Sequence, residues 1–203
     1  MVALAALAAY LLGSVSFAVV VSRLMRLPDP RSYGSKNPGA TNVLRTGSKA
    51  AAALTLAGDA LKGFVAVLLA LIFLPAAAPY VGLAAFVGHL YPVYHRFRGG
   101  KGVATAAGVL FGLDAWLGLG TLATFVVITA FFRYVSLASM AAAAFAVFFS
   151  WFLKLGDATT LAIAVMALLI VWRHKDNIRR LLAGTESKLG AKKATPPTDP
   201  SAA

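Results

Sequence analysis

Cysteine is absent from this 203-residue chain. Its absence excludes disulfides, a thiol nucleophile and thiolate metal sites. Acidic residues are scarce, with 7 Asp and Glu against 19 Lys and Arg. The three histidines, His89, His95 and His174, are scattered, form no H-E-x-x-H pattern and have few carboxylates near them, so no metal site is expected. Charge of either sign makes up only 13% of the residues and falls in short clusters. What lies between is apolar: 60% of the chain is hydrophobic and its mean hydropathy is +0.79. Soluble domains are about half apolar. The pattern predicts an all-α fold, a polytopic transmembrane helical bundle. One membrane domain is expected over residues 1–184. Residues 185–203, polar and carrying Pro196, Pro197 and Pro200, read as a disordered, dispensable cytoplasmic tail.

Seven spans are expected, roughly over 3–21, 50–74, 79–94, 103–113, 115–132, 134–153 and 159–172. The fourth is short of the ~20 residues that a crossing needs and is expected to tilt or to be partly re-entrant. A net charge of +12 usually suggests nucleic acid, but here it follows topology. All the basic residues except Lys62 and Lys154 fall in the loops at 22–49 and 95–102, at Arg133, or in the segment from Arg173 onward. The positive-inside rule then places the N-terminus outside and the C-terminus in the cytoplasm, with no nucleic-acid partner. The first apolar run has its positive charges after it rather than before it, which favours a retained span over a cleaved signal.

Three polar segments share the cytoplasmic side. Residues 33–45, Tyr-Gly-Ser-Lys-Asn-Pro-Gly-Ala-Thr-Asn-Val-Leu-Arg, carry Ser35, Asn37, Thr41 and Asn42 as hydrogen-bonding groups and Lys36 and Arg45 as cations. Gly34 and Gly39 allow the backbone N–H groups to turn inward as an anion-binding nest. The second segment is Gly99-Gly100-Lys101-Gly102, at the start of the fourth span, where helix N–H groups add to the attraction for an anion. It is not a Walker A loop: His95 stands where the first glycine is required and Gly102 where Ser or Thr is required. The third segment, residues 172–182, places Ile178, Leu181 and Leu182 on one face and reads as an amphipathic continuation of the last span. His174 and Asn177 share another face. They suit a ligand as well as a basic headgroup anchor.

Two further features carry charge or hydroxyls. Asp59 and Lys62, three residues apart inside the second span, can neutralise each other, either as a packing device or as a substrate contact. His89 reads as an interhelical hydrogen bonder. Arg133, Ser136 and Ser139 open the sixth span, and Ser136 is within reach of the polar face.

With these motifs the chain resembles the bacterial integral-membrane glycerol-3-phosphate acyltransferases that use acyl phosphate as donor. The resemblance covers roughly residues 5–185. It is carried by Gly34-Ser35-x-Asn37-x-Gly39-Ala40-Thr41-Asn42 and by Gly88-His89-x-x-Pro92-Val93 leading into Phe97-x-Gly99-Gly100-Lys101-Gly102-Val103-Ala104-Thr105. Gly58-Asp59-x-x-Lys62-Gly63, Arg133-Tyr134-Val135-Ser136 and His174-x-x-Asn177-Ile178-x-Arg180-Leu181 add to it. Lys36 and Pro38 stand where the family often has glycine and a small or aliphatic residue.

The resemblance implies seven spans in the bacterial inner membrane, a cytoplasmic active site among membrane lipids, and no metal, nucleotide or other cofactor. It implies the substrates glycerol 3-phosphate and acyl phosphate, and the products 1-acylglycerol 3-phosphate and inorganic phosphate. The residues suit that chemistry. Arg45 and Lys101 would hold phosphate, with Ser35 as the third catalytic candidate. Asn37, Gly39, Thr41, Asn42, Gly99, Gly100, Gly102, Ser136, His174 and Asn177 would line the substrates. Small residues Ala106, Ala107 and Gly108 would leave room for the acyl chain.

No general base is evident. The residue five positions after His89 is Tyr94, after His95 Gly100 and after His174 Arg179, so the His-Asp dyad of another acyltransferase class is missing. The expectation is that a phosphate oxygen of the donor takes the proton and that no acyl-enzyme forms. Two other functions compete. An organic-phosphate or anion transporter would explain a basic mouth but not the lack of paired interrupted helices. A membrane scaffold would not explain two cationic glycine loops.

Overall fold

The computed structural model describes residues 1–190, and those residues are helical with connecting loops and no strand. Ten α-helices follow in order: α1 Val2–Gly13, α2 Phe17–Leu24, α3 Ala40–Val43, α4 Lys49–Phe73, α5 Ala78–Leu90, α6 Val103–Leu113, α7 Ala115–Phe132, α8 Val135–Phe152, α9 Asp157–Arg173 and α10 Lys175–Leu182.

By length and composition five helical stretches can cross a membrane: 2–24, 49–73, 75–95, 115–132 and 135–152. A sixth counts if α9 and α10, bent by 57° to each other, are taken together. The fourth expected span, α6, has 11 residues. At about 1.5 Å per residue it is ~16 Å long, roughly half a hydrocarbon core. The segment after His174 does not continue the last span but turns away from it as a separate helix.

Local chemistry accounts for the boundaries. The Ser48 hydroxyl accepts from the Ala51 N–H at 3.2 Å and starts α4. Asp114 accepts from the Leu117 N–H at 2.8 Å and starts α7. α4 stops two residues before Pro75. The first crossing is broken at Ser14–Ser16. There the Val19 and Val20 N–H groups both bond the Ser16 carbonyl, and the Val15 carbonyl instead accepts from Lys62 Nζ at 2.7 Å. Irregular backbone inside a bundle persists where a neighbour satisfies it.

Glycines set the packing between helices. A Cβ on Gly108 would lie 1.8 Å from the Ala60 carbonyl oxygen, and one on Gly13 2.0 Å from that of Ala85. Thus α6 sits directly on α4 and α1 on α5, in the small-residue mode of membrane helices. This corrects the expectation for the acyl chain: Gly108 makes room for α4, and Ala106 is buried in the same core. The outer faces remain apolar, as at Trp116, Leu122, Val126 and Phe131 of α7, and suit lipid.

The tail expectation also changes. Residues 185–190 are not helical but are tied down: the Leu189 N–H donates to the Arg133 carbonyl at 2.7 Å and the Thr185 N–H to that of Arg180 at 2.8 Å. The remainder of the expected disordered tail, 191–203, lies outside the described residues.

Candidate active site

The 33–45 loop is organised by one buried amide. Asn42 Oδ1 accepts from the Ser35 N–H at 3.0 Å. Its Nδ2 donates to the Pro30 carbonyl at 2.7 Å and to the Tyr33 carbonyl at 3.2 Å. Both amide protons are therefore used within the loop. Asn42, expected to line the substrate, positions Ser35 instead. Gly34 has φ +58° and a would-be Cβ 2.4 Å from Asn42 Oδ1, so only glycine fits there.

The backbone nests expected from the glycines are not free. The Ser35, Lys36 and Gly39 N–H groups bond Asn42 Oδ1, the Tyr33 carbonyl and the Asn37 carbonyl, respectively. The Gly99 N–H donates to the Leu90 carbonyl at 3.1 Å, and that of Gly100 to His89 at 3.2 Å. Gly39 is extended at φ −159° and precedes α3. At these five positions the backbone N–H is already committed within the protein.

Both loops border one cleft of about 210 Å³, lined by Ser35, Lys36, Asn37, Gly99, Lys101, Trp172, Arg173, Lys175 and Asp176. Four of these are cations and one is a carboxylate. Gly100 joins the two loops: a Cβ there would collide with the His89 ring and crowd the Pro38 carbonyl, so the close approach needs glycine. Arg173 clamps the glycine loop from α9, donating Nη2–H to the Gly99 carbonyl at 2.8 Å and Nε–H to that of Gly100 at 3.1 Å.

Lys101 leads out of the cleft into a polar chain. Its ammonium donates to Asn177 Oδ1. Asn177 Nδ2 donates to Glu186 Oε1 at 2.6 Å, which also accepts from the Ser136 hydroxyl at 2.6 Å. Glu186 Oε2 accepts from Arg180 Nε at 2.6 Å. Burial lowers Lys101 from its ordinary range to about 8, against the pull of the Glu186 carboxylate. Burial also works against a charged Glu186, but bonds from Ser136, Asn177 and Arg180 outweigh it and hold that carboxyl below its ordinary range.

His174 sits buried at the α9–α10 bend, lowered to about 4 first by burial and then by the Lys101 cation. Its Nδ1 lies 2.8 Å from the Ile170 carbonyl, an acceptor, so Nδ1 carries the hydrogen and Nε2 is left as the accepting nitrogen.

Of the three expected catalytic residues, Ser35 and Lys101 line the same cleft. Arg45 does not. It is exposed on the loop, with its Cδ 2.9 Å from the position of a Gly34 Cβ, one residue from Ser35. Thr41 is also exposed, on α3. Gly102, at φ +81°, starts α6 under Phe86. Asn177 bonds Lys101 directly, and Ser136 reaches it only through Glu186 and Asn177.

Asp59, Lys62 and His89 form a second, sealed cluster. Lys62 Nζ donates to Asp59 Oδ1 at 2.8 Å, to His89 Nδ1 at 2.9 Å and to the Val15 carbonyl at 2.7 Å. An ammonium has three protons, so Lys62 has none left for a ligand. The cluster ties α4 and α5 to the break between α1 and α2. Among the described residues no group of three His, Asp or Glu is placed to hold a metal ion.

Sequence reasoning missed Arg173, Lys175 and Glu186 as site residues. The first two were read only as part of the positive rim. Glu186 carried one usable signal: it is one of 7 acids in a chain of net charge +12, and it lies just beyond a cationic helix.

A family profile described as glycerol-3-phosphate acyltransferase matches residues 3–184. A glycerol-3-phosphate acyltransferase of Cupriavidus necator is 63% identical over 194 residues, covering 93% of this chain and 96% of that protein. One from Burkholderia multivorans is 60% identical, covering 94% and 92%. A crystal structure of PlsY (YgiH), an integral membrane glycerol 3-phosphate acyltransferase in its glycerol 3-phosphate form, superposes with a TM-score of 0.89 at 38% identity, over 93% of this chain and 96% of that one. Its lysophosphatidic acid form superposes at 0.88. Matched along nearly its whole length in sequence and in fold, this chain belongs to the glycerol-3-phosphate acyltransferase family of integral membrane proteins.

Proposed function

We infer that the protein transfers an acyl group from acyl phosphate to the 1-hydroxyl of glycerol 3-phosphate. The C–O bond forms at the acyl carbonyl, the acyl–phosphate bond breaks, and inorganic phosphate leaves. The observation that carries this reading is the cationic cleft in which Ser35 and Asn37 meet Lys101, Arg173 and Lys175. Both substrates are phosphorylated, so one cationic cleft serves both. Lys101 neutralises phosphate as a point charge, and Arg45 approaches Ser35 from the Gly34 side. His174, neutral with Nε2 as acceptor, suits a glycerol hydroxyl better than a phosphate. Alignment of hydroxyl and carbonyl, with charge stabilised beside them, is what an already activated donor needs.

A donor phosphate oxygen takes the proton of the attacking hydroxyl, with no acyl-enzyme and no metal. Seven crossings, with α6 as a short one, put the N-terminus outside and this cleft on the cytoplasmic face of the bacterial inner membrane. The names borne by the relatives, and the phosphate-bearing ligands of the two similar structures, favour this reading over an anion transporter.

Purified protein offered acyl phosphate, acyl-CoA or acyl carrier protein with glycerol 3-phosphate should release phosphate and lysophosphatidate in equal amounts from the first donor alone. Equal turnover with acyl-CoA would overturn the donor assignment. A radiolabelled acyl-enzyme lost in Ser35→Ala would overturn the direct transfer. Movement of organic phosphate across vesicles without product would favour the transporter.

A further inference from the structure

Glu186 lies outside the cleft, yet it is the most heavily bonded acid in the polar chain behind it. Three side-chain donors surround its carboxylate: Ser136 and Asn177 on Oε1 and Arg180 on Oε2, each at 2.6 Å. The backbone on either side is anchored, by Thr185 to Arg180 and by Leu189 to Arg133, so the carboxylate is brought to this place by fixed chain. An asparagine amide can face either way, and each orientation has one set of compatible partners. With Nδ2 toward the carboxylate, Oδ1 faces the Lys101 ammonium, and acceptor meets donor. Turned over, Asn177 would present N–H groups to an ammonium and an oxygen to a carboxylate, and both contacts would repel.

We propose that Glu186 is a positioning residue of the acyl transfer: through Asn177 it fixes the pose of Lys101 in the cleft, and its negative charge keeps that lysine cationic at the pH of catalysis. This inference rests on the phosphate-binding role given to Lys101 above.

The charges around Lys101 make the second half of the proposal specific. Arg173 and His174 face it from the end of α9, Asp176 and Arg180 from α10, Lys36 from the loop and Lys175 across the cleft. Cations outnumber acids in that set, and burial adds to their effect. Glu186 exerts the largest opposing pull on the lysine's protonation. Without its charge Lys101 loses its proton at a lower pH. The alkaline side of the activity profile then moves down.

The test compares Glu186→Gln with Glu186→Asp in the full-length protein, in detergent or vesicles, measuring kcat and KM for glycerol 3-phosphate against pH together with thermal melting. Gln keeps the size of the side chain and loses the charge. Asp keeps the charge and loses one methylene of reach. The expected result is an alkaline limb at lower pH in Gln, with activity falling several-fold more at pH 8.5 than at pH 6.5, and a limb close to wild type in Asp. A role in shape alone would rank them the other way, with Gln nearer to wild type. An unmoved alkaline limb in a folded Gln variant overturns the proposal. So does failure of both variants to fold, which would make Glu186 a structural residue. Lys101→Ala separates the two readings: if it is inactive while Glu186→Gln keeps the wild-type profile, only the positioning role fails. If Lys101→Ala keeps full activity, the phosphate-site reading fails first.

Discussion

Two lysines of this bundle sit in polar clusters of opposite kinds. Lys62, 2% exposed and inside α4, gives each of its three protons to an acceptor within the protein. Lys101, in the loop before α6, gives one to Asn177 and lines an open cleft. Depth alone would have made Lys62 the functional candidate, since charge within a membrane span is expensive and commonly marks a site. Saturation reverses that ranking. A lysine whose protons are all committed acts as a cross-link, and one with protons to offer can bind.

The largest expected effect breaks this comparison at the rim. Lys101→Ala should lower turnover about 10²–10³-fold, the scale of losing one preorganised charge-stabilising donor, while the melting temperature does not fall. Wild-type turnover at limiting substrate would remove Lys101 from the reaction. The same substitution at Lys62 should do the reverse. Lys62→Met strands Asp59 inside the bundle and should destabilise it by about 3–5 kcal/mol, whereas Asp59→Leu with Lys62→Met should recover most of that loss. Melting of the single and double variants measures both, and catalysis by the protein that remains folded should be near normal. If the double variant folds but is inactive, the sealed cluster takes part in chemistry after all.

Arg173 connects the two regions. It holds the Gly99 and Gly100 carbonyls from one side while the Leu90 and His89 carbonyls hold the N–H groups of the same residues from the other. Arg173→Gln should cut kcat/KM about tenfold, in line with the ~1.5–3 kcal/mol of a hydrogen bond to a charged group, part of which water would replace. Steady-state kinetics with both substrates varied would check it, and an unchanged kcat/KM would show that the glycine loop keeps its shape without the clamp.

Much of this was legible in the sequence, and the failures have physical causes. Apolar runs and turn residues located α4, α7 and α8 to within a residue or two, because span length and helix caps are local properties. Ser35, Asn37 and Lys101, grouped from the sequence as parts of two polar, glycine-bearing loops, line one cleft. The break at Val15 was not legible: it depends on a lysine 47 residues away accepting the role of its missing N–H partner. Nor was the commitment of the loop amides, because a glycine permits a nest without deciding whether its N–H groups face a ligand or a neighbouring carbonyl. Gly108 failed for the same reason. An absent Cβ opens space, but sequence does not say whether a helix or an acyl chain fills it. Glu186 was lost because polar composition was taken for disorder, although a single carboxylate with three donors can pin a segment.

The smallest effect at neutral pH is also the one that best separates chemistry from folding. Lys101, held at about 8, should lose its charge as pH rises past that value, so kcat/KM should fall roughly tenfold per pH unit beyond it if the cation is essential. Stability moves the other way. Between about 8 and the ordinary value of 10.5 the folded protein binds fewer protons at Lys101 than the unfolded chain does, so this group makes folding more favourable as pH rises. His174, held at about 4 against an ordinary 6.5, has its effect at the acid end: the folded protein again binds fewer protons, and stability falls as pH drops through that window. Rates and melting temperatures recorded together from pH 5 to 9.5 should therefore diverge above pH 8, with activity lost while the protein melts no earlier. A fall in both at the same alkaline pH would mean that the bundle, and not the rim lysine, is what titrates.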